Sequence, residues 1–401
     1  MSTPGYGYLL QNQKGLLGIA LLAVFSGNLG QSFFIGLFQA PLAEKLGLSA
    51  GEFGSAYAAV TLCAGFLVLN IGPTLDWIPP RRFALMVLAG MTSGILLLTL
   101  SPWFLPALLG LGLVRLCGQG LFTHLGNTLA GREFTIARGR ALGLVSLGVP
   151  MGEMLLPPLV ALVLLVLGWQ ALWWSFIGVL LLVWLMLMTL LPWPSAPAAR
   201  PDRSQSDKGP RPLRERRFWR MLPLLMTLPI TMTGIFIYQA QMTSDFGASL
   251  ATYALALTAM GAARLPGALL AGRWVDQIGP QRIARLYILP FALALVLALL
   301  VGGDLGIWLL LIGGGLTMGM QEPVVNSLLV SLWGGENLGR VRSTLSACMV
   351  FATGIAPALL GFLIDWDISF QRILLGALVG LVLAWLLSLK TLAEPGCTPP
   401  G

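Results

Sequence analysis

Four ionisable side chains stand inside long apolar runs of this 401-residue chain: Arg115, Glu153, Arg264 and Glu322. A charge at bilayer depth is costly, so such residues face a water-filled cavity or pair with one another. Arginine forks grip a carboxylate bidentately, so Arg115 and Arg264 suit an anionic solute. Glu153 and Glu322 are of the type that carries a coupling proton. The alternative is a pair of internal ion pairs, for example Arg115 with Glu153. Polar residues at helical spacing accompany the charges. Asn28, Gln31, Ser32 and Gln39 share one face, Gln119 lies one turn from Arg115, and Asn326 lies one turn from Glu322. Thr227, Thr231 and Tyr238 form a further stripe. Gln31, Gln119 and Tyr238 are the candidates to orient a solute, the alternative being helix–helix hydrogen bonding in lipid.

The elements that must position these residues follow from composition. The chain is 56% hydrophobic and 10% charged, where a soluble domain carries about 25% charge. The apolar runs are continuous rather than alternating, which excludes a closed β-barrel. Segments of about 20 apolar residues span a bilayer. Twelve fit: 16–40, 52–74, 83–101, 103–130, 139–166, 169–192, 218–242, 249–272, 283–302, 305–333, 342–364 and 370–389. The chain therefore reads as an all-α polytopic membrane protein. Residues 193–217, rich in Pro, Ser and Arg, read as a cytoplasmic linker between a bundle at 1–192 and another at 218–401. The first span reads as retained, not as a cleaved signal. With the N-terminus inside, only Lys45 and Arg372 of the 24 basic residues fall outside and only Arg115 and Arg264 fall within spans. The rest lie on the inner side, a strong positive-inside bias. This places the chain in the inner (plasma) membrane with both termini cytoplasmic. It also accounts for the net charge of +8 without nucleic acid.

The sequence repeats at an offset of 200. Gln39 meets Gln239, Gly47 meets Gly247, Pro157 meets Pro357, and Gly72, Asp76, Pro80 and Arg82 meet Gly272, Asp276, Pro280 and Arg282. Two parallel six-span repeats are a recurrent transporter plan. In each copy the Asp can accept from a neighbouring helix N-terminus and pair with Arg. Gly72, Asp76, Arg82, Gly272, Asp276 and Arg282 thus read as a conformational latch. These turns resemble the GxxxDxxGxRR signature of the major facilitator superfamily. The second copy keeps Gly279, while the first has Ile78-Pro79 in its place. The segment Arg115-Leu-Cys-Gly118-Gln-Gly120 is similar to the superfamily's Arg-and-glycine motif, with compressed spacing. The resemblance implies twelve helices in two pseudo-symmetric six-helix bundles and alternating access about a central cavity. Arg264 also resembles the substrate-binding arginine of monocarboxylate and oxalate–formate transporters. Theirs lies four residues before the motif glycine, whereas Arg264 lies eight before Gly272.

The expectation is a secondary transporter, proton-coupled, moving a small organic anion such as a carboxylate. The rivals are a proton-driven efflux antiporter for apolar or cationic compounds and a non-transporting membrane receptor of the same fold. Expected partners are a small-molecule solute, protons and the bilayer, with the chain monomeric. No nucleotide loop, nucleophile constellation or metal-ligand cluster is evident, so neither an enzyme nor a cofactor is expected. Cys63, Cys117, Cys348 and Cys397 read as packing residues. His124 reads as a packing or hydrogen-bonding residue.

Overall fold

In a bilayer every backbone polar group must be satisfied within its own segment, so each apolar run becomes a helix. The computed structural model describes residues 13–134, 138–194, 212–334 and 338–393, with backbone alone at 138–139 and 338–340. Most of the expected linker therefore lies outside the described residues. Twelve helices are long and apolar enough to cross a membrane. They are α1 (Lys14–Gly36), α2 (Ala50–Asp76), α3 (Pro80–Leu100), α4 (Phe104–Glu133), α5 (Arg140–Val163) and α6 (Trp169–Leu190). The second set comprises α7 (Arg216–Ile237), α8 (Leu250–Ile278), α9 (Pro280–Val301), α10 (Gly303–Trp333), α11 (Val341–Asp365) and α12 (Phe370–Leu392). No strand occurs among the described residues.

The chain divides into two compact units. The first holds Met1–Gly47 and Ala56–Arg203, and the second holds Leu48–Ser55 and Ser204–Gly401. The start of α2 thus groups with the second unit.

The repeat is visible in backbone detail within each unit. The first and seventh spans end sooner than hydropathy suggests. Each gives way to a short helix, Gln39–Leu46 or Gln239–Phe246. Both short helices end on a left-handed glycine, Gly47 at φ 64° and Gly247 at φ 66°, where a side chain would be strained. Ser49 and Ser249 then cap the next helix. The Ser49 hydroxyl accepts from Glu52 N while Glu52 Oε2 accepts from Ser49 N, a reciprocal capping box. Ser249 Oγ accepts from Thr252 N.

In the first unit aromatic rings fill the centre. Phe34 meets Trp173 edge-on at 5.3 Å, and Phe122 stacks on Trp184 at 4.9 Å. The Trp184 indole donates to Ser26 Oγ, so its polar atom is satisfied although the ring is buried. The Lys45 ammonium donates to Leu98 O and Thr99 O, two of the last carbonyls of α3. In the second unit, glycines let α8 and α10 touch backbone to backbone. A Cβ at Gly315 would strike Met260 O, and one at Gly267 would strike Leu316 O. Large apolar residues such as Phe66, Leu165, Leu182, Leu269 and Leu300 are exposed, as expected where lipid is the solvent.

Candidate functional site

The second unit holds a cavity of about 310 Å³ lined by α7, α8, α10 and α11. Arg264 and Glu322 both line it, together with Gln321, Asn326, Arg342 and Ser346. Arg264 is the fifteenth residue of the 29-residue α8, hence at mid-span. What holds it there is the close crossing of α8 and α10. A Cβ at Gly319 would strike the Arg264 carbonyl, so only glycine permits the approach. Glu322 and Asn326 follow Gly319 by one and two turns on α10, which lines both up along the cavity. Gln321 donates its amide to Leu225 O, leaving its amide oxygen as an acceptor. Glu322 is exposed although it stands within a span, as a residue on an open cavity should be.

The charges of this cavity have no counterparts in the first half. Two hundred residues earlier, Arg264, Glu322, Asn326 and Arg342 correspond to Ala64, Phe122, Gly126 and Leu142. The scaffold is duplicated and the cavity's chemistry is not. With Glu322 ionised, the lining carries two positive charges and one negative, which suits an anion.

The first unit builds a different polar centre. Helix α1 is not continuous. Gly27–Gly30 tightens into a 3-10 turn and Gln31 is extended at φ −77° and ψ 153°. Opposite it, α4 loosens into a π-helix over Leu116–Phe122, directly after Arg115. Glycines join the two irregularities. A Cβ at Gly118 would lie 2.6 Å from Gly30 Cα, and one at Gly30 would lie 2.6 Å from Gln119 N. Arg115 is buried and donates to Gly30 O at 2.7 Å, while its guanidinium lies 4.8 Å from the Tyr57 ring centre. The Tyr57 hydroxyl bonds Ser32 Oγ at 3.0 Å. Asn28 is wholly buried and donates to Phe25 O and Gly148 O. Glu153 is also buried, one residue after Gly152, where a Cβ would strike the Asn28 amide. Gln119 is exposed and Gln31 half-buried.

Tyr238 stands apart from the second-unit cavity. Its hydroxyl lies 2.6 Å from Pro357 O and 2.8 Å from Ala50 O, within bonding distance of both carbonyls. Nearby, the Asp365 carboxylate accepts from Ser49 Oγ, Ala50 N and Gly51 N at 2.8–3.1 Å, capping the start of α2.

The two repeated turns differ in hand. Gly279 takes φ 92°, which favours glycine, whereas Pro79 sits at φ −52°. In the first copy His124 Nε2 donates to Gly72 O and Arg132 donates to Leu75 O. Arg82, Asp276 and Arg282 are exposed. Among the described residues no hydrogen bond or ion pair holds Asp76 or Asp276. Among the described residues there is also no cluster of His, Cys, Asp or Glu fit for a metal.

Comparison with known proteins agrees with this architecture. The profile of the Major Facilitator Superfamily matches residues 20–241 and 224–400, so the chain belongs to that superfamily and is a multi-pass membrane transporter rather than an enzyme. It resembles a bacterial homologue of the human lysosomal transporter Spinster in its inward-facing, unoccupied form, with TM-score 0.76 and 15% identity over 99% of this chain and 100% of the other. The occupied form of that homologue gives TM-score 0.69 and 14% identity over 98% and 97%. The "Probable L-galactonate transporter" of Escherichia coli (strain K12) is 30% identical over 154 residues, which is 36% of this chain and 32% of the relative. The match thus spans about a third of that relative.

Proposed function

We propose that this chain is a proton-coupled secondary transporter of a small organic anion, a hydroxylated carboxylate above all, working by alternating access. The observation that carries this reading is the second-unit cavity, where two arginines, Glu322 and neutral hydrogen-bonding groups face one space. Arg264 grips the carboxylate. Gln321, Asn326 and Ser346 offer donors and acceptors for hydroxyls. Glu322 carries the coupling proton. The partial likeness to a transporter named for a sugar acid supports this class of solute. The excess of positive charge weighs against a cationic efflux substrate.

Arg115 takes a second role in this reading. It pins the broken α1 to the π-turn of α4, while Glu153, Gln31 and Gln119 complete the polar centre of the first unit. Tyr238 holds backbone carbonyls, and the paired Asp76 and Asp276 turns act as latches that form and break during the cycle. Both termini face the cytoplasm across the inner membrane in this reading, which the excess of basic residues on that side supports, and the chain acts as a monomer.

Uptake into proteoliposomes under an imposed pH gradient tests the proposal. Labelled gluconate is expected to accumulate when the outside is more acidic than the lumen, and a cationic dye is not. Dye movement with no gluconate flux overturns it in favour of the antiporter. No movement of any solute under any gradient overturns it in favour of a receptor.

A further inference from the structure

Arg342 has no place in the reading so far beyond its charge. It stands at the second residue of α11, where hydropathy alone marks it as one more loop cation, yet its side chain lines the same cavity as Arg264 and Glu322. Its position along that cavity follows from the chain. Helices α10 and α11 are consecutive and joined by residues 334–340, so the start of α11 lies level with the end of α10. The cavity runs along α11 from Arg342 to Met349 and along α10 from Met318 to Leu329. Seven residues of α-helix rise about 10 Å. Arg264 sits at the Gly319 end and Arg342 at the Leu329 end. Along α10, Glu322 and Asn326 lie between Gly319 and Leu329.

A single carboxylate on a hydroxylated chain needs one guanidinium. A second guanidinium about two helical turns or more along the cavity, roughly 10 Å or more away, answers a second anionic group on the same solute. The first half has Leu142 at the matching position, so the shared scaffold does not require a cation there. We propose that Arg342 is a specificity-determining residue that binds the distal acidic group of a dicarboxylate whose proximal carboxylate is held by Arg264. The solute class is a hydroxylated diacid of about six carbons, long enough to reach both ends. This rests on the cavity being the anion site.

The test is calorimetric binding to the purified full chain, using gluconate and glucarate, which differ by one terminal carboxylate. Wild type should bind glucarate about tenfold more tightly, the value of one added charge-assisted contact in a partly open site. Arg342→Gln should bring the two acids within twofold by weakening glucarate far more than gluconate, and Arg342→Lys should keep part of the preference. The inference is overturned if wild type shows no preference, if Arg342→Gln leaves the preference intact, or if it weakens both acids equally. Thermal denaturation of each variant shows that it is folded. Arg264→Gln separates this inference from its parent. If that change leaves both affinities unaltered, the cavity is not the anion site at all, whatever Arg342 does.

Discussion

Gly118→Ala places one methyl group where two backbones already touch. The added Cβ would lie 2.6 Å from both Gly30 Cα and Gly30 N, and neither atom belongs to a side chain that can rotate away. Carbon atoms pack at about 3.5 Å or more, so the 3-10 turn of α1 and the π-turn of α4 must part by about 1 Å. Overpacking of this kind costs about 1–3 kcal/mol. The shift also stretches the 2.7 Å bond from Arg115 to Gly30 O beyond hydrogen-bond length. A lost bond to a charged donor adds about 1.5–3 kcal/mol. Together these are a large fraction of a total stability of about 5–15 kcal/mol. The melting temperature of the purified protein should therefore fall by on the order of 10 °C. Gly178→Ala is the matched control, since a Cβ there meets nothing within 4 Å. The costs of Gly118→Ala and Arg115→Gln should also overlap, so the double variant loses less than their sum. A Gly118→Ala melting temperature equal to that of wild type, or strict additivity with Arg115→Gln, would refute the claim that this contact positions Arg115.

Three further outcomes follow from the same structure. Gly47→Ala and Gly247→Ala each place a side chain in the left-handed region and should each cost about 1 kcal/mol. Their effects should add, because the two sites lie in different halves, and this is checked by denaturation of the single and double variants. Asp365→Ala removes the acceptor for three donors at the start of α2 and should destabilise by about 1–2 kcal/mol in the same assay. Glu322→Gln fixes the neutral form, so counterflow exchange of gluconate should persist while accumulation driven by a pH gradient is lost. Gradient-driven accumulation in that variant would remove Glu322 from the coupling role.

Most of the scaffold was legible because the bilayer allows so few solutions. Twelve apolar runs match twelve spans with ends within six residues. The offset of 200 pairs Gly47 with Gly247, but the short helices that these glycines end are not visible to hydropathy, which runs the first and seventh spans into them. The rule that charges in lipid seek a cavity or a partner marked four residues, of which Arg264 and Glu322 line one cavity while Arg115 and Glu153 do not line it. Two features escaped for physical reasons. The break in α1 and the π-turn in α4 are backbone irregularities inside apolar sequence. Hydropathy is blind to them, and the compressed Arg115–Gly120 motif was their only trace. Arg342 was hidden because it sits at a span end, where charge is ordinary and was counted toward orientation. Its alignment with Leu142 was the signal that could have found it. Tyr238 read as a cavity residue because its helical face is polar. Its hydroxyl instead lies against backbone carbonyls, including that of Pro357 in the proline-containing α11.

The central claim is that solute occupies the cavity holding Arg264 and Glu322. Ser346 lines that cavity and is exposed, so a cysteine there can be labelled by a water-soluble thiol reagent. With Ser346→Cys in a background whose native cysteines are replaced by alanine, saturating gluconate should slow labelling several-fold, and Arg264→Gln should abolish that protection. Labelling that gluconate leaves unchanged, in a protein shown to bind gluconate, would contradict the account.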